Sequence, residues 1–116
     1  MEEDVMITTL TLDDFLKENG FEGELSNKEK MGILNHMLTK YEEDLEWTDF
    51  KYSAIPKENI TKDLEKEYAN KVTNLDIKIM NIKGYCFNLK YEIKLERKEK
   101  RKQAFQKVFG VFKGTK

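Results

Sequence analysis

The sequence has little of what most enzyme chemistry requires. Its 116 residues include one cysteine, Cys86, and one histidine, His36. A single cysteine excludes an intramolecular disulfide. The zinc signatures need several cysteines or histidines, which this chain does not contain. A Ser-His-Asp or Cys-His arrangement would have to be built on His36 alone, and no motif places a nucleophile beside it. One proline and six glycines are too few for a linker or a disordered chain, and they predict regular elements. Apolar runs never exceed a few residues, which excludes a membrane span. The opening Met-Glu-Glu-Asp is acidic where a secretory signal is basic. With the lone cysteine, this leads us to expect a reducing, cytoplasmic setting. Arginine is also scarce, at two against nineteen lysines, and base-edge readout in DNA relies on arginine forks.

What is present is charge and enough apolar residues for one core. The charged fraction is 37% and the apolar fraction 39%, which predicts one domain over 1–116 with a heavily solvated surface. The net charge of −1 hides an asymmetry. Residues 1–49 hold fourteen acids and four bases, a balance of −10; residues 50–116 hold eight acids and seventeen bases, a balance of +9. This is neither a uniformly acidic nucleic-acid mimic nor a uniformly basic binder. The richness in lysine, asparagine and isoleucine points to an AT-rich genome, bacterial, phage or plasmid, and the small size fits a phage or mobile-element protein.

Local signals define elements along the chain. Residues 1–8 precede them as a flexible lead. Residues 11–21 read as a short helix: Thr11 is the N-cap, Leu12, Phe15 and Leu16 form one face, and Gly20 is placed to end it in a left-handed conformation. Ser26 and Glu29 form a capping box for a long helix over 26–46, with Met31, Leu34, Met37, Leu38, Tyr41 and Leu45 on one stripe. Gly32 weakens it by ~1 kcal/mol. The acidic "YEEDLEW" then falls at that helix's C-terminus, against the dipole. Residues 50–55 read as a short strand before Pro56, and 59–73 as a third helix.

Residues 75–95 alternate apolar and polar, which predicts a β-hairpin. Leu75, Ile77 and Ile79 face Tyr91, Leu89 and Phe87 across a loop at Ile82-Lys83-Gly84, with Gly84 left-handed. Residues 96–116 read as a basic segment followed by an amphipathic helix over 103–112. The basic run at its start again opposes the dipole. The expected fold is therefore α+β, a small single domain of helices with an antiparallel hairpin.

Three functional readings follow. Residues Lys90, Lys94, Arg97, Lys98, Lys100, Arg101 and Lys102 form a candidate nucleic-acid-binding segment. Contacts from five of them to phosphate give a log–log salt slope of roughly −4. Trp47, Phe50 and Tyr52 cluster as a candidate protein interface. In the hairpin register, Asp76, Glu92 and Lys94 share the polar face. An Asp on one strand with Glu-x-Lys on the next resembles the PD-(D/E)xK nucleases, and the resemblance implies a divalent metal held by the acids and a lysine that helps activate water. The leading expectation is a non-catalytic binding protein that regulates or inhibits a larger nucleic-acid-handling assembly through protein contacts. It has no cofactor, no metal and no membrane partner, and a homodimer would cover its surplus apolar surface. Direct, weakly sequence-specific nucleic-acid binding is the alternative, and the nuclease is third.

Overall fold

A computed structural model describes residues 6–114, with side chains through residue 108. Among the described residues there are three α-helices, one 3-10 turn and no strand: α1 (Leu12–Glu18), α2 (Asn27–Ser53), the turn Lys57–Asn59, and α3 (Lys62–Gly114). The chain divides into two compact units, Met1–Cys86 and Phe87–Lys116.

The short-range signals act as the sequence predicts. The Asp14 amide donates to Thr11 Oγ1 at 3.2 Å, capping α1. At its other end, Gly20 adopts φ 89°. The Phe21 amide donates to the Leu16 carbonyl at 2.9 Å and the Gly20 amide to Lys17 at 3.1 Å, which is the Schellman pair. Ser26 and Glu29 form both halves of the capping box at the start of α2. Thr61 caps α3 by accepting from the Leu64 amide at 3.1 Å.

The first unit is an antiparallel helical hairpin with α1 packed on it. Tyr52 stacks on Tyr68 with ring centroids 4.0 Å apart. The Lys78 ammonium lies 5.5 Å from the Tyr41 ring centroid. Going up α3 therefore means going down α2. The seam follows alternating steps of four and three residues, as in coiled coils. On α2 it runs through Leu34, Leu38, Tyr41, Leu45, Thr48 and Tyr52; on α3 through Val72, Leu75, Ile79, Ile82 and Cys86, all buried or half-buried. Leu16, Leu34 and Ile82 are almost fully enclosed, and each such side chain contributes about 1.5–3 kcal/mol by burial. Thr48 is the buried polar residue in this seam. Its hydroxyl donates to the Asp44 carbonyl at 2.7 Å, so it costs no unmade hydrogen bond.

Residues before and within α1 are tied to α3. The Thr8 amide donates to Asn81 Oδ1 and the Asn81 side-chain amide to the Met6 carbonyl, each at 3.1 Å. The Tyr85 hydroxyl donates to the Leu10 carbonyl at 2.8 Å. Phe15 packs on the Tyr85 ring with centroids 4.8 Å apart, and Asp13 pairs with Lys30 of α2 at 2.8 Å.

The α+β expectation is overturned: the fold is all-α. The strand expected at 50–55 is instead the last turn of α2 and the residues after it, since α2 continues to Ser53. The third helix from Lys62 onward, the hairpin and the C-terminal helix are all parts of α3, and Asn59 closes the 3-10 turn before it. Gly84 is helical; among the described residues only Gly20 and Gly23 have positive φ. The physical reason lies in the 75–95 segment, which satisfies two periods. Read every second residue, Tyr85, Phe87, Leu89, Tyr91 and Ile93 share a face. Read at steps of four and three, Leu75, Ile79, Ile82, Cys86, Leu89 and Ile93 share one. From Leu75 to Cys86 the second set has a matching row on α2 to bury against. Of the lead expected to be flexible at 1–8, residues 1–5 fall outside the described residues, as do the apolar side chains beyond residue 108, whereas Met6 and Thr8 are hydrogen-bonded to Asn81.

Candidate functional site

The second unit, described by itself, is helix. Its bases change meaning once the backbone is helical rather than extended. In a strand, Lys90, Glu92, Lys94 and Glu96 would share one face and offset each other. In a helix each residue turns by about 100°, so Lys90, Lys94, Arg97, Lys98, Arg101 and Lys102 fall within one half of the circumference. Glu92, Glu96 and Glu99 fall together on the other side, with Lys100 beside them. All of these residues are exposed.

Apolar side chains share the basic half. Phe87 and Tyr91 lie within it and Leu95 at its edge, at i, i+4 and i+8. They are 73%, 61% and 47% exposed, respectively. Leu89 of the same unit is buried and Ile93 half-buried, so this helix is apolar on two sides. Further along, Phe105 and Val108 are also exposed. The hairpin expected from the sequence puts Phe87 and Tyr91 on the same face as Leu89, opposite Leu75, Ile77 and Ile79, whereas both are exposed. The signal that they face outward was present, because the helical period assigns Leu89 and Ile93 inward and leaves Phe87, Tyr91 and Leu95 out.

The proposed interface trio separates. Tyr52 is half-buried and stacked on Tyr68, so it belongs to the hairpin seam. Trp47 and Phe50 are 60% and 65% exposed and meet edge to face at 5.8 Å. With Glu43 and Glu46 they line a shallow depression of about 350 Å³. The two glutamates were not expected there. Because α2 runs through "YEEDLEW" instead of ending in it, acids and aromatics recur at i, i+3, i+4 and i+7 on one outer face.

Beside this patch, the Tyr68 hydroxyl donates to the Asp49 carboxylate. This bond raises the tyrosine above its usual value, with desolvation and the Asp49 charge acting in the same direction.

The nuclease constellation loses its geometry. Asp76, Glu92 and Lys94 all lie on α3, and the paired strands that would unite them do not form. Glu92 and Lys94, two residues apart on a helix, splay by about 200° and leave opposite sides. Among the described residues, no group of three or more His, Cys, Asp or Glu side chains could hold a metal. None of the described helices is long and apolar enough to cross a membrane. His36 is exposed on α2 and Cys86 is buried in the seam. In comparisons with known proteins, no family model, no curated protein and no solved structure matches the chain.

Proposed function

We propose that the chain is a non-catalytic binding protein. It regulates or inhibits a larger nucleic-acid-handling assembly through protein contacts. The observation that carries this reading is the exposed Phe87-Tyr91-Leu95 stripe within a basic helical face. Aromatic side chains supply large contact area at low entropy cost and are the usual anchors of protein interfaces. Surrounding lysines favour an acidic partner surface and speed its encounter.

A second reading, direct nucleic-acid binding, is favoured by one specific observation: the helix gathers six of the seven candidate bases and separates them from the three glutamates. Such a face can follow phosphates, and aromatics can stack on unpaired bases.

A titration decides between the two. For duplex DNA and single-stranded RNA of about 30 nucleotides at ~50 mM salt, the protein-contact reading expects no binding tighter than about 10 µM. Tighter binding that is lost on reversing Lys98, Arg101 and Lys102 to glutamate overturns it in favour of the second reading.

A further inference from the structure

We infer that the exposed basic face of α3 docks on the acidic aromatic patch of α2 in a second copy of this chain, reciprocally, forming a two-fold dimer. The inference rests on the reading of that face as a protein-contact surface and deepens it by naming an occupant.

Charge complementarity selects the pair of surfaces. The α2 patch carries Glu43 and Glu46, within a segment, 42–50, that holds five acids and no base. The α3 face carries Lys90, Lys94, Arg97, Lys98, Arg101 and Lys102, with Glu92, Glu96 and Glu99 on the other side of the helix. Both surfaces also carry exposed aromatics: Trp47 and Phe50 on the acidic one, Phe87 and Tyr91 on the basic one. The alternative self-contact, α3 against α3, brings two basic faces together and is opposed by repulsion. Contact between two α2 patches brings acid to acid and fails for the same reason. Only the cross-pairing unites opposite charge with apolar surface.

Two-fold symmetry makes the contact twice, since a residue that touches its partner's surface is touched by the partner's copy in return. Four largely exposed rings per contact bury roughly 150 Å² each, so the two contacts together reach roughly 1,200 Å² before any lysine stem or Leu95 is added. That meets the lower bound for a specific interface. An exposed helical stripe also gains stability from such cover, because most helical stability in proteins comes from packing an apolar face.

The test is sedimentation velocity on the full chain across micromolar concentrations, at ~50 and ~500 mM salt. The expected result is a concentration-dependent dimer whose dissociation constant rises about tenfold or more at high salt. Lys90→Glu with Lys94→Glu gives a monomer, and so does Glu43→Lys with Glu46→Lys. The chain carrying all four changes dimerises again. Phe87→Ser with Tyr91→Ser also gives a monomer, with unchanged helical circular dichroism because both side chains are exposed. A monomer under every condition overturns the inference, as does a dimer that survives both reversals. A monomer leaves the face free for a different protein, so the proposed function stands or falls separately, in the nucleic-acid titration.

Discussion

Residues 6–86 and residues 87–108 draw on similar amino acids and use them in opposite ways. In the first region, long-range contacts converge on α3. Thr8, Leu10 and Met6 reach Asn81 and Tyr85 across more than seventy positions of sequence, and the seam between α2 and α3 is filled by leucine, isoleucine and tyrosine. In the second, three large apolar side chains in a row, Phe87, Tyr91 and Leu95, are exposed. The charge differs as well: residues 1–86 carry nineteen acids and eleven bases, a balance of −8, whereas 87–116 carry three acids and ten bases, a balance of +7. The first region fills a seam with its apolar residues and leaves Trp47 and Phe50 outside it, whereas the second buries Leu89 and displays Phe87, Tyr91 and Leu95. An apolar residue therefore has no fixed role; its role depends on whether another element presents a row at the same spacing.

The widest gap between the regions is expected from truncating one apolar residue in each. Leu34→Ala, at a fully enclosed seam position, should cost about 2–5 kcal/mol in chemical denaturation. Phe87→Ser, measured in a dilute monomer, should change stability by no more than about 0.5 kcal/mol. Equal losses would break the distinction. Next comes glycine. Gly20→Ala forces a side chain into the left-handed region and should destabilise by about 1–2 kcal/mol. Gly84→Ala should stabilise by about 1 kcal/mol, because the position is helical and nothing lies within 4 Å of an added Cβ. Destabilisation by Gly84→Ala would instead point to the hairpin with its left-handed turn.

Tyr85→Phe removes the donor to the Leu10 carbonyl and should cost about 0.5–1.5 kcal/mol, showing that residues before α1 belong to the first region. The smallest effect concerns Tyr68. Its proton is held more firmly in the folded state than in the unfolded state. The Asp49 bond is therefore fully present below the ordinary tyrosine pKa of about 10 and is lost as pH rises through the higher folded value. A pH series of unfolding midpoints should fall above about pH 10 in the native chain, and less so in Tyr68→Phe.

Two local misfits in the sequence had a common cause. An acidic segment at the end of a helix over 26–46, and a basic segment at the start of one over 103–112, both oppose the dipole. Neither sits at a terminus. The last turn of α2 carries Lys51, and the first turn of α3 carries Asp63 and Glu65, as the dipole favours. Each misfit marked an element drawn too short. The candidate site was legible in part. The bases of 90–102 and the pair Trp47 and Phe50 were identifiable by residue type and spacing. Their company, Glu43 and Glu46 in one case and Phe87 and Tyr91 in the other, depended on a helical period that the alternation at 85–95 concealed.

By itself the sequence determined the features that involve residues five or fewer apart. These are the Thr11 cap, the Schellman turn at Gly20 and the capping box of Ser26 and Glu29. Backbone sterics and short side-chain hydrogen bonds suffice for them. The tertiary structure alone decided the state of residues 75–86. Their apolar pattern fits a strand or a helix nearly as well, and local energies do not separate the two. A complementary row from Leu34 to Tyr52 does, because only the helix lets Leu75, Ile79, Ile82 and Cys86 leave water against it.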